Sequence, residues 1–147
     1  MAKMIFVNLP VTDVARSTAF YEAMGFEKNA QFSNEQASMM VWSDTISVML
    51  LAHPFYSTFT SKEIADTKRT SATLLCLSRD SRAEVDAITE AALAAGGHET
   101  RDPQEMGFMY GRSFEDPDGH TFEAMWMDMA AASAADAAGE LHQPAAG

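Results

Sequence analysis

Ile5 to Val11 is a short run rich in β-forming apolar residues, and after Asp13 the spacing changes: Val14, Ser17, Phe20, Tyr21 and Met24 recur at helical intervals. The first run predicts a strand and the second pattern a helix, in which side chains repeat about every 3.6 residues. Asp13 is placed to cap the helix through its carboxylate, and Gly25 to stop it. Phe26 to Phe32, Ala37 to Trp42 and Thr45 to Leu51 follow as three short strand candidates, the later two set off by Asn, Ser and Asp. The order is β-α-β-β-β. Residues 53 to 69, with Pro54 and several Ser, Thr and Lys, read as a connection.

The same order then returns. Thr73 to Leu77 is a strand, and Asp80 or Ser81 caps a helix carrying Val85, Ile88, Ala92 and Leu93. Gly96 and Gly97 end that helix, and His98 to Arg101, Phe108 to Phe114 and Thr121 to Trp126 supply three more strands. Offsets match between the halves: Phe6 lies seven residues before Asp13 as Thr73 lies before Asp80, and Met49 follows Asp44 by five as Glu123 follows Asp118. Matched offsets point to a duplicated unit whose equivalent strand positions face alike. The fold class is therefore α+β, with two tandem βαβββ modules, about 4–52 and 70–128, in a single domain of residues 1–128. Residues 129–147 turn to Ala, Gly, Ser, Asp and Pro. That tail has little to bury, although Ala131 to Ala138 could form part of a helix.

Composition narrows the functional classes. A chain of 147 residues suits one core, and no apolar run approaches the roughly 20 residues that span a bilayer. With no leader-like start, a soluble, cytoplasmic protein without membrane contact is expected. The net charge of -11 argues against nucleic acid, whose phosphates need clustered Lys and Arg, and would suit a cationic ligand. Cys76 is the only cysteine, so no internal disulfide forms; within Leu74-Leu75-Cys76-Leu77 it reads as a small buried hydrophobe. No GxGxxG, GxxxxGK[ST] or GxSxG occurs, which removes dinucleotide binding, P-loop hydrolysis and a hydrolase elbow.

Two stretches carry a family resemblance. Val7-Asn8-Leu9-Pro10-Val11-Thr12-Asp13, followed by Phe20-Tyr21-Glu22 and Met24-Gly25-Phe26, resembles the opening of vicinal-oxygen-chelate proteins. Phe114-Glu115-Asp116-Pro117-Asp118-Gly119-His120 with Glu123 is similar to their turn and last strand. This superfamily includes glyoxalase I, bleomycin-resistance proteins and extradiol dioxygenases, and the chain looks nearest to its bacterial glyoxalase-related members. The resemblance implies a curved mixed sheet around a ligand cavity. It also implies that four inward positions, where metal-using members place His, Gln or Glu, fall on Phe6, Met49, Thr73 and Glu123.

Only Glu123 among these is a credible ligand for a hard cation. A single carboxylate falls short of the ligand count that Zn, Ni or Fe requires, so no cofactor is expected and any divalent metal would rest on Glu123. Set among Phe122, Ala124, Met125, Trp126 and Met127, Glu123 is instead the candidate catalytic proton carrier, with pairing to Arg112 or exposure to water as the plain alternative. His53, His98, His120 and His142 lack metal spacing. His53 is a candidate for the pocket mouth, beside Phe55 and Tyr56. Tyr110 and Arg112 share one strand face and could hold a carbonyl or anion, with Met49, Phe6 and Thr73 lining the same site. Two functions are weighed: a glyoxalase-like lyase or isomerase acting on a small carbonyl compound, and a metal-free small-molecule sequestering protein. Either would be completed by a homodimer, to which the aromatic segment Phe55, Tyr56 and Phe59 would contribute.

Overall fold

The computed structural model describes residues 2–137. The first module runs β1 (Ile5–Val11), α1 (Val14–Ala23), β2 (Glu27–Asn29), one turn of 3-10 helix over Ala30–Phe32, β3 (Ala37–Val41) and β4 (Ile46–Ala52). A short helix α2 (His53–Tyr56) opens the connection. The second module runs β5 (Leu74–Ser78), α3 (Arg82–Ala94), β6 (His98–Glu99), β7 (Gln104–Glu105), β8 (Met109–Glu115) and β9 (Thr121–Met127), and α4 (Met129–Ala137) follows.

Each module forms its own mixed sheet. The strand orders are β1-β4-β3-β2 and β5-β9-β8-β6, with β7 also paired to β8. In each, the first and last strands run parallel and the other pairs are antiparallel. Alternation decides what each face carries. Leu9, Val11, Val48 and Leu50 of the first sheet and Leu77, Phe114, Phe122 and Ala124 of the second turn inward. With Phe20, Tyr21, Val85 and Ile88 from α1 and α3 they make one shared core. The opposite faces look outward, and within one chain the two sheets stay separate.

The modules are fastened by the turn Asp116 to His120. Asp116, 1% exposed, accepts from the amides of Asp118 and His120, each at 2.9 Å, and from the Tyr21 hydroxyl of α1 at 2.7 Å. Asp118 accepts from the Thr12 amide and hydroxyl, and the His120 Nε2 donates to the Pro10 carbonyl at 2.7 Å. Gly119 has φ 90°, and a Cβ there would strike the Thr67 backbone. The turn reverses the chain between β8 and β9. It also supplies a buried polar joint between the halves.

Two local expectations change. The cap of α3 is Ser81, whose hydroxyl accepts from the Glu84 amide at 3.1 Å, and not Asp80. Counting seven residues back from Ser81, as from Asp13, moves the counterpart of Phe6 from Thr73 to Leu74. A one-residue slip in a strand changes the face, so this matters for the site. Cys76 is exposed, since Leu75 and Leu77 occupy the inward positions of β5 and leave the thiol on the outer face. The tail begins with a helix: Ala132 of α4 packs on Phe108, with Met109 and Met127 against them. His142 and Ala138 lie outside the described residues.

Candidate functional site

The outer face of the second sheet carries the candidate residue Glu123. Strand register sets Glu123 on β9 opposite Cys76 on β5 and Ser113 on β8. Because Phe122 and Ala124 point into the core, Glu123 and Met125 point away from it. On β8 the residues sharing that outer face are Met109, Gly111, Ser113 and Glu115. Gly111 has no side chain and Ser113 is small, so the middle of the face is left open. A groove of about 190 Å³ lies there, lined by Cys76, Met109, Gly111, Ala124 and Met125, with Gln104, Arg101, Arg112 and Glu123 as its polar residues.

Glu123 is not alone. Arg101, in the bend after β6, reaches across β8 and donates from its terminal nitrogen to the Glu123 carboxylate at 2.7 Å. The Cys76 thiol is pushed up in pKa by burial, and next by the Glu123 charge, so it is held protonated. The Thr100 hydroxyl donates to the Ser113 hydroxyl at 2.7 Å, which fixes the bend that presents Arg101.

Tyr110 and Arg112 share a face, but it is the other one, under α3. The Tyr110 hydroxyl donates to Asp86 at 2.7 Å. Arg112, whose side chain is 10% exposed, donates to Asp86, Glu90 and Glu99. These carboxylates, Glu99 foremost, hold the guanidinium more firmly protonated. Asp86 is pushed down in turn, first by the Tyr110 hydrogen bond. Both donors are thus spent on tying α3 and β6 to the sheet, on the opposite side from Glu123. Arg82 extends the cluster by lying over the rings of Tyr110 and Trp126.

The remaining candidates are dispersed. Phe6 is 47% exposed on the outer face of β1, and Met49 is half-buried on β4, opposite Met39 and Asn8. Thr73 lines a larger cleft of about 380 Å³ between β1 and the segment leading into β5, together with Asn8, Tyr56 and Thr121. That cleft does not include Glu123. His53 begins α2 at the end of β4 and lines neither the groove nor the cleft. Phe55 and Phe59 pack edge to face at 5.1 Å.

The residues do not suit a transition metal. With the cap at Ser81, the four positions become Phe6, Met49, Leu74 and Glu123, which is one carboxylate and three apolar groups. Among the described residues no three of His, Cys, Asp and Glu gather at a distance that would hold an ion.

This arrangement of two βαβββ units has known counterparts. The sequence profile of the glyoxalase/bleomycin resistance protein/dioxygenase superfamily matches residues 3–124. The chain belongs to that superfamily. No curated protein matches it significantly in sequence. Among solved structures it is similar to a hypothetical protein of S. aureus, with TM-score 0.72 and 25% identity over 86% of this chain and 94% of that one. A glyoxalase-related enzyme from Fulvimarina pelagi gives TM-score 0.71 at 21% identity, covering 86% and 88% of the two chains. A lactoylglutathione lyase from Agrobacterium tumefaciens gives 0.62 at 18%, covering 86% and 94%. At these identities the last two likenesses speak for the fold.

Arg101 is the groove residue that sequence reasoning missed. It stood at the end of a strand candidate with nothing local to mark it. Its importance comes from crossing β8 at the point where Gly111 leaves room, a relation between residues ten apart in sequence.

Proposed function

We propose that this superfamily member binds a small carbonyl compound in the groove on the outer face of the second sheet, with Glu123 as the proton-transfer group of a lyase or isomerase reaction. One observation carries the reading: a carboxylate held by a single guanidinium in a groove whose apolar lining is thioether, thiol, alanine and glycine. Such a group is positioned to take a proton from a carbon beside a carbonyl, and low polarity around it strengthens electrostatic effects on the developing charge. Replacing Glu123 by Gln keeps the shape and removes the base. The expected result is loss of Glu123-dependent hydrogen–deuterium exchange into a small ketone, followed by NMR. Equal exchange by the wild type and E123Q would sink the reading.

The Met-lined outer faces favour a second reading, a metal-free sequestering protein, since flexible thioethers adapt to varied apolar shapes. In that case E123Q would bind ligand as well as the wild type, and neither would exchange protons. Both readings include a symmetric homodimer, in which a second copy covers the outer faces. Among the described residues no helix is long and apolar enough to cross a membrane.

A further inference from the structure

We propose that the groove selects a compound bearing a carboxylate next to its carbonyl, with Arg101 gripping the carboxylate and Glu123 thereby released to act as base. This rests on the reading of Glu123 as the proton carrier and names the substrate class for it.

The first ground is an unequal use of arginine donors. A guanidinium has five N–H groups. Arg112 spends its donors on three carboxylates, and Arg82 pairs with Glu105 and the Gly107 carbonyl. Among the described residues Arg101 makes one side-chain hydrogen bond, to one oxygen of Glu123. It is partly exposed and lines the groove, so a fork able to grip a carboxylate through two parallel bonds is engaged through only one. The second ground is the shape beneath it. Gly111, which has no side chain, leaves the groove open beside the Arg101–Glu123 pair. The groove, about 190 Å³, is smaller than the roughly 300–1,000 Å³ of sites for drug-sized ligands. A molecule of a few heavy atoms fits this arrangement, with its carboxylate and carbonyl oxygen at Arg101 and the C–H beside its carbonyl toward Glu123.

The third ground is the consequence for reactivity. A ligand carboxylate that takes Arg101 frees the Glu123 oxygen now engaged at 2.7 Å, so that this oxygen can accept a proton. Glu123 then takes a proton from the carbon beside the carbonyl. The C–H electron pair becomes the double bond of an enolate, and the carbonyl oxygen takes the negative charge beside Arg101. Returning the proton to carbon completes exchange, and returning it elsewhere completes isomerisation. No oxidant or reductant is consumed. The net charge of -11 repels anions at longer range, so capture depends on a local cation, and of the two arginines lining the groove Arg112 is already paired with three carboxylates.

The test uses the full chain with two isosteric probes, pyruvate and the neutral pyruvamide. Binding is followed by NMR titration and methyl exchange by loss of the proton signal in deuterated buffer. Pyruvate should bind more tightly than pyruvamide. R101Q should weaken pyruvate binding at least ten-fold and leave pyruvamide binding unchanged, with an unaltered amide spectrum showing that the variant folds. G111V should exclude both probes by filling the groove. E123Q should keep pyruvate binding and lose exchange. If pyruvate does not bind, or binds no better than pyruvamide, or R101Q is silent, the carboxylate assignment is overturned, even where Glu123-dependent exchange of pyruvamide upholds the proton-carrier reading. Arg101-dependent pyruvate binding with exchange unaffected by E123Q would instead overturn the proton-carrier reading and leave the carboxylate grip in place.

Discussion

Asp116 shows how one buried side chain can set a pH response. Its pKa is raised, chiefly because burial disfavours the charged form, and the hydrogen bonds from Tyr21 and the turn amides only partly offset this. The folded chain therefore holds the Asp116 proton more tightly than the unfolded chain does. Where the folded state binds more protons, stability falls as pH rises. The contribution of Asp116 is full below the ordinary aspartate range and is lost as pH climbs through its raised value. Asn cannot titrate, so the difference in urea midpoint between wild type and D116N should move against the wild type across that window. A constant difference would show that Asp116 is not the titrating group. Tyr21, pushed up first by burial and next by Asp116, stays protonated throughout and keeps donating. Y21F strands a buried carboxylate oxygen and should cost about 1–3 kcal/mol at neutral pH, measurable by the same denaturation.

The elements expose where local signals suffice. Asp13 capping α1 was readable because a cap answers to its own first turn, and its carboxylate accepts from the Arg16 amide at 3.0 Å. At α3 two adjacent residues both qualified, and only the structure separates Ser81 from Asp80. That choice reassigns the outer face of β5 from Thr73 to Leu74 and Cys76. Parity also correctly paired Tyr110 with Arg112, yet it could not say which face was covered, because the deciding carboxylates Asp86 and Glu90 belong to α3. S81A should cost about 0.5–2 kcal/mol in thermal or urea unfolding, while D80A should cost much less. Gly97 sets the junction of α3 with the first module. A Cβ there would stand 2.5 Å from the Glu115 carbonyl, 2.9 Å from the Phe20 ring and 3.0 Å from the Ala92 carbonyl. Two of these neighbours are backbone and cannot turn aside, so G97A should destabilise by about 1–3 kcal/mol, with Gly96→Ala in an open space as the comparison for backbone strain alone.

At the scale of the molecule, the duplicated order of elements was legible from repeated patterning, but the placement of the two sheets was not. Their inner faces share one core and their outer faces remain uncovered, because hydrophobic alternation reports that a face is apolar without saying which neighbour covers it. Ile5, Phe6 and Leu74 are about half exposed at the starts of β1 and β5. These strands are also the outer edges of their sheets, each paired on one side alone among the described residues. Unpaired edges beside exposed apolar side chains invite pairing with another chain. A second copy offers both edges again under twofold symmetry, so both can be covered at once. The charge of -11 per chain opposes this approach, and salt screens it with a Debye length of about 10 Å at 0.1 M. Light scattering at micromolar concentration should therefore report a mass near twice the 16.0 kDa of one chain, with the dimer tightening as salt is added. Phe6→Ser together with Leu74→Ser should shift the protein toward monomer while leaving its unfolding transition nearly intact, because neither side chain contributes to the shared core. A monomer at every salt concentration, with the double replacement silent, would rule out assembly through this surface.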